Sequence, residues 1–168
     1  MPRKRKKAKR TRATFSVEDK PVIQVDKNFL KLLDTRKKIV YFIRGDKPIE
    51  YPWEHKRSCI LYIGTTKRKG RRPFETMMAR APKLLRIRGM KSLDFVYVKA
   101  PPKKHVDITK KLEKAFLHQF RRMYGTFPRE NVKVGPLGDA ADYVPLDRVE
   151  KIILKLSHHK TPYEEETA

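Results

Sequence analysis

Three short apolar runs punctuate an otherwise polar chain. Lys38 to Arg44 and Cys59 to Ile63 are dense in β-branched and aromatic residues, and Leu93 to Lys99 sets Leu93, Phe95 and Tyr97 against Asp94, Val96 and Val98. Each reads as a strand. Gly45-Asp46 should close the first and Ala100-Pro101-Pro102 the third, and Val22 to Val25 is a shorter candidate. Between the first two, IEYPWEHKRS is too long for a tight hairpin.

Helical spacing appears elsewhere. Asp26 can cap a helix to about Asp34 with Phe29, Leu30 and Leu33 inward, and Pro73 suits the first turn of a helix running to about Arg80. The clearest case is Ile108 to Tyr124: Asp107 stands at the N-cap, Gly125 at the stop, and Ile108, Leu112, Ala115, Phe116, Gln119 and Met123 form one stripe. Leu146 to about His158 repeats the spacing through Val149, Ile152, Ile153 and Leu156. The pattern predicts an α+β fold: a small three-stranded antiparallel sheet flanked by helices. Residues 1–20 form a basic disordered arm, 21–134 the main domain, and 135–168 a linker, a C-terminal helix and an acidic tail.

Charge changes the picture. Lys and Arg number 42 against 19 Asp and Glu, a net +23 in 168 residues. Solubility needs far less, so the expected partner is a polyanion. With no long apolar span and no leader pattern, nucleic acid is preferred to a membrane: DNA or RNA, including ribosomal RNA. Residues 1–13 carry eight cations and no acid, which suits either a solubilising tail or an arm that orders on a phosphate backbone. Candidate nucleic-acid contacts are Arg3, Lys4, Arg5, Lys6 and Lys7 in that arm, Lys67, Arg68, Lys69 and Arg71 after the second strand, and Arg86 and Arg88 further on. Trp53, the one tryptophan, can stack a base or fold back over the core. The single cysteine, Cys59, excludes a disulfide framework and fits an intracellular, reducing setting. Scarce Asn and Gln beside abundant charge lean toward a thermophilic source. His158-His159 do not share a helix face and are a poor metal pair.

Tyr62-Ile63-Gly64 and then Arg72 resemble the second half of the GIY-YIG nuclease motif. Val40-Tyr41 is similar to the first half, with Ile39 where the family has glycine, and LEKAFLHQFRRMYGTFPREN resembles its last catalytic element, a helical glutamate followed by a proline-to-asparagine turn. The likeness spans about residues 38–132. It implies a metal-dependent endonuclease with Tyr41, Tyr62, Arg72, Glu113 and Asn131 as catalytic residues, all facing one phosphate, and Glu113 holding one Mg²⁺ or Mn²⁺. Either tyrosine could act as base only if a cation such as Lys67 or Arg71, or the metal's water, lowers its pKa from about 10. Thr65 and Thr76 stand where relatives often carry histidine or lysine. Glu113 can equally be a solvated carboxylate paired with Lys110 or Lys114. The alternative is a non-catalytic, ribosome-associated protein of the same fold.

Overall fold

The computed structural model describes residues 13–18, 20–25, 38–66, 71–87, 89–100 and 105–158. The expected helix at 26–34 lies outside them, as do Met1 to Arg12 and the acidic tail. The strands are β1 (Ala13–Glu18), β2 (Lys20–Val25), β3 (Ile39–Glu50), β4 (Arg57–Thr66) and β5 (Ser92–Lys99); the helices are α1 (Arg71–Leu84), α2 (Ile108–Tyr124), α3 (Ala140–Tyr143) and α4 (Leu146–Ser157). The three expected strands form an antiparallel unit, β5-β3-β4. Two further strands extend it to five, in the order β2-β1-β5-β3-β4. β1 thus takes residues 13–18 out of the expected disordered arm, where Thr14, Phe15 and Val17 supply strand-forming residue types.

β3 is the central member of that unit, and its burial explains its sequence. Ile39 to Ile43 are all buried. Ile39, Tyr41 and Ile43 pack with Leu61 of β4 and with Met77, Ala81 and Leu84 of α1 on one face. On the other, Val40 and Phe42 pack with Ile60 and Ile63, with Phe116 and Phe120 of α2, and with Val149 and Ile153 of α4. A strand covered on both faces has no polar side, so it reads as a continuous apolar run. α4, expected within a C-terminal extension, shares this core. Its end is tied down by buried hydroxyls, with Ser58 and Tyr124 both donating to Ser157 Oγ at 2.8 Å. Arg44 also donates to the Leu156 carbonyl at 3.2 Å while paired with Asp94 across β3 and β5.

Two boundaries differ from expectation. Gly45-Asp46 does not end β3: the strand runs to Glu50 through register shifts at Ile43/Arg44 and Arg44/Ile49, because a bulge absorbs the extra residues without breaking the ladder. The following loop is correspondingly short, a 3₁₀ turn at Trp53–His55. α2, in contrast, has the expected bounds. The Asp107 side chain accepts from the Lys110 amide, and Gly125 ends the helix at φ 80° with its N–H donating to Arg121 O. Burying Phe116 against Phe42, with ring centroids 4.9 Å apart, docks the helix on the sheet; truncating such a ring to alanine costs about 3–5 kcal/mol.

Candidate functional site

β4 is an edge strand, and the chain after α2 folds back to cover it. The Glu130 amide donates to Leu61 O at 3.0 Å. The Asn131 carboxamide then pairs with both backbone groups of Ile63: Oδ1 accepts from its N–H at 2.9 Å, and Nδ2 donates to its carbonyl at 2.7 Å. Asn131 therefore acts as a one-residue strand against an edge that would otherwise lack partners there. Its amide is fully engaged in that task.

Beside this seam lies a cavity of about 430 Å³. Its walls come from β4 (Tyr62), α1 (Arg80), α2 (Lys110, Glu113, Lys114, Leu117) and the returning loop, Glu130 to Gly135. Glu113, nearly buried, is ion-paired with Lys110 one turn earlier. Glu130 is only 4% exposed and sits between Arg80 at 3.1 Å and Lys83 at 2.9 Å. Arg80 also donates to the Glu130 carbonyl, and its guanidinium lies 4.3 Å from the centre of the Tyr62 ring. That is cation–π contact distance. With Arg80, Lys110, Lys114 and Lys133 against two carboxylates, the wall carries excess positive charge.

A second cluster lies under α1. Tyr41 is 1% exposed, its ring stacked on Phe95 at 5.3 Å and tilted against Tyr62 at 6.0 Å. Its hydroxyl is hydrogen-bonded with Thr76 and Tyr62. Burial, then the neighbouring Tyr62, push the phenol well above its ordinary pKa, and the Arg72 charge opposes them only in part. Gly64, opposite Tyr41 in the ladder, leaves room for both rings: a Cβ there would come within 2.7 Å of each and 2.8 Å of the Tyr41 hydroxyl. This close approach is why the position needs glycine.

Of the residues expected to face one phosphate, Tyr62, Glu113 and Asn131 therefore line one cavity. Tyr41 and Arg72 do not line it; Tyr41 adjoins Tyr62 beneath α1, and Arg72, on α1, is exposed and acts on Tyr41 through its charge. The reason is topological, since central β3 lies under α1 whereas edge β4 faces the seam. Arg86 is exposed beyond α1. Arg3, Lys4, Arg5, Lys6, Lys7, Lys67, Arg68, Lys69 and Arg88 fall outside the described residues, as does the Arg71 side chain. Sequence reasoning missed Arg80 and Glu130. Arg80 stands eight residues after Arg72, about two turns on, and Glu130 precedes Asn131, but neither spacing says that the two meet.

Among the described residues no three His, Cys, Asp or Glu side chains gather as a metal site. A hydrated Mg²⁺ asks for less, one or two carboxylates completed by waters and substrate phosphate. Glu113 fits that demand. Its partner Lys110 has a side chain 53% exposed and can swing toward solvent or an incoming phosphate. Comparison with protein-family models, with curated proteins and with solved structures finds no match. No described helix is long and apolar enough to cross a membrane.

Proposed function

We propose that the chain binds nucleic acid along the β4 seam and hydrolyses a phosphodiester bond in the cavity, as a metal-dependent endonuclease. One juxtaposition supports this reading: Tyr62, from the edge strand, and Glu113, from the helix packed on one face of the sheet, line the same cation-walled space. At about 430 Å³, it lies in the size range of sites that hold a nucleotide-sized group.

The roles follow from position. Arg80, Lys114 and Lys133 draw in and neutralise the phosphate, the guanidinium with its planar fork and the ammonium groups as point charges. Glu113 would hold Mg²⁺ or Mn²⁺. A bound ion of this kind supplies Lewis-acid stabilisation of the leaving oxygen and a more acidic water. Tyr62 lines the cavity, and its hydroxyl would orient the attacking water or a phosphate oxygen. Tyr41, protonated because it is buried, cannot serve as base and instead fixes Tyr62 through their hydrogen bond. Asn131 holds the β4 backbone at Ile63, and Arg72, outside the cavity, takes a flanking phosphate.

The test is a cleavage assay titrated with Mg²⁺ and Mn²⁺ on single-stranded DNA, duplex DNA and structured RNA. If about six phosphates are neutralised, log K should fall against log salt with a slope of about −5 on duplex. A second reading, non-catalytic binding on ribosomal RNA, draws support from the ion pairs that already occupy Glu113 and Glu130. It expects no cleavage at any metal concentration and co-sedimentation with ribosomes.

A further inference from the structure

The turn between β3 and β4 is strained in a way its sequence does not announce. Glu54 and His55 are consecutive non-glycine residues at φ 50° and 55°, a left-handed conformation that side-chain-bearing residues hold only under restraint. Local bonds hold it: Tyr51 N–H donates to Lys56 O at 2.8 Å, Lys56 N–H to Trp53 O at 2.9 Å, and His55 Nδ1 lies 2.6 Å from Glu50 Oε1. Below, the buried Tyr51 anchors the loop, its hydroxyl donating to Ile60 O at 2.7 Å. Gly125 lies so close beneath that a Cβ there would meet the Trp53 Cβ at 2.9 Å.

All of this restrains the backbone of a residue whose side chain is not needed by the core. Trp53 is 53% exposed, the one aromatic among the exposed large hydrophobic residues in the described part of the chain. A turn formed only to connect two strands has no need to hold a large apolar ring in water. Lys56 and Arg57 follow directly and are exposed. Gly125 begins the segment whose other end, Glu130 and Asn131, walls the cavity. Along β4, Tyr62 lies five residues beyond Arg57, roughly 16 Å at a strand's rise of ~3.3 Å per residue.

We propose that Trp53 is a stacking platform for an unpaired base, so that the strand engaged by the cavity continues single-stranded over the loop from Gly125 to Asn131, which covers the edge of β4, to the β3–β4 turn. The inference rests on the nucleic-acid reading above and adds to it a preference for unpaired over fully paired substrate. A rigid indole presents a π-face to any base at little entropic cost, and the adjacent Lys56 and Arg57 supply backbone charge.

Trp53 is the one tryptophan in the chain, so its own emission reports the contact. Full-length protein is titrated with a labelled dT oligonucleotide, the matching U oligonucleotide and a blunt duplex, reading label anisotropy for binding and tryptophan emission for stacking. The expected result is quenching that tracks single-strand binding, in one or both sugar types, with little quenching by the duplex. Trp53→Ala should weaken single-strand binding about tenfold with an unchanged melting temperature, whereas Trp53→Phe should stay close to wild type. Oligonucleotide binding with unaltered emission and an unaltered Trp53→Ala affinity would overturn the platform and leave the nucleic-acid reading intact. No binding of any oligonucleotide would overturn both.

Discussion

Tyr41 and Tyr62 lie on the same face of the sheet with ring centroids 6.0 Å apart, yet they inhabit different chemical regions. Tyr41 belongs to a central strand roofed by α1, and burial keeps its phenol protonated. Tyr62 belongs to the edge strand, with Arg80 over its ring and a cavity beside it. Place in the sheet, rather than residue type, divides a buried tyrosine from one on the cavity wall.

The sharpest separation of the two regions should come from Glu113, which only the cavity contains. Glu113→Gln is expected to lower metal-dependent cleavage at least about 10³-fold, while nucleic-acid binding survives because a repulsive charge has gone. A melting curve beside the assay separates this from unfolding. Next, Tyr62→Phe should slow cleavage by about 10²-fold and Tyr41→Phe by only a few-fold. Equal effects would erase the distinction drawn between the two tyrosines.

Gly64→Ala strikes the boundary between the regions. With both rings within 2.7 Å of the new Cβ, overpacking of about 1–3 kcal/mol is expected in denaturant unfolding. Asn131→Ala tests the seam alone: leaving the Ile63 N–H and carbonyl without their partner should cost about 1–2 kcal/mol after water recovers part of it. Asn131→Asp, which keeps the acceptor but sets a carboxylate oxygen against the Ile63 carbonyl, should cost at least as much.

The smallest effect is one of pH and belongs to the buried side. Tyr41 and Tyr51 both have phenols raised chiefly by burial, with a hydrogen bond from the Arg129 backbone partly offsetting the rise at Tyr51. The folded state holds these protons more tightly than the unfolded chain. Their contribution is therefore complete below the ordinary phenol pKa of about 10 and is lost as pH rises beyond it. Melting temperatures should show this alkaline decline, and Tyr41→Phe should make it shallower.

Much of the framework was legible in the residues themselves. α2 could be bounded in full because its stripe, its Asp107 cap and its Gly125 stop lie within one element, and local signals specify local structure. The central strands were legible because a strand buried on both faces must be apolar throughout, and the excess of cations needs no fold to be counted. The resemblance carried by Tyr62, Gly64, Glu113 and Asn131 marked positions in order along the chain. Only the tertiary structure decided what those positions touch. Arg80 meets Glu130 across 50 residues and Asn131 meets Ile63 across 68, and such encounters depend on how α1 and the returning loop dock at the sheet edge. The same docking hides Tyr41, while bulged pairing with β4 carries β3 past Gly45. No periodicity within a single element encodes these outcomes, because each is the result of two surfaces packing together.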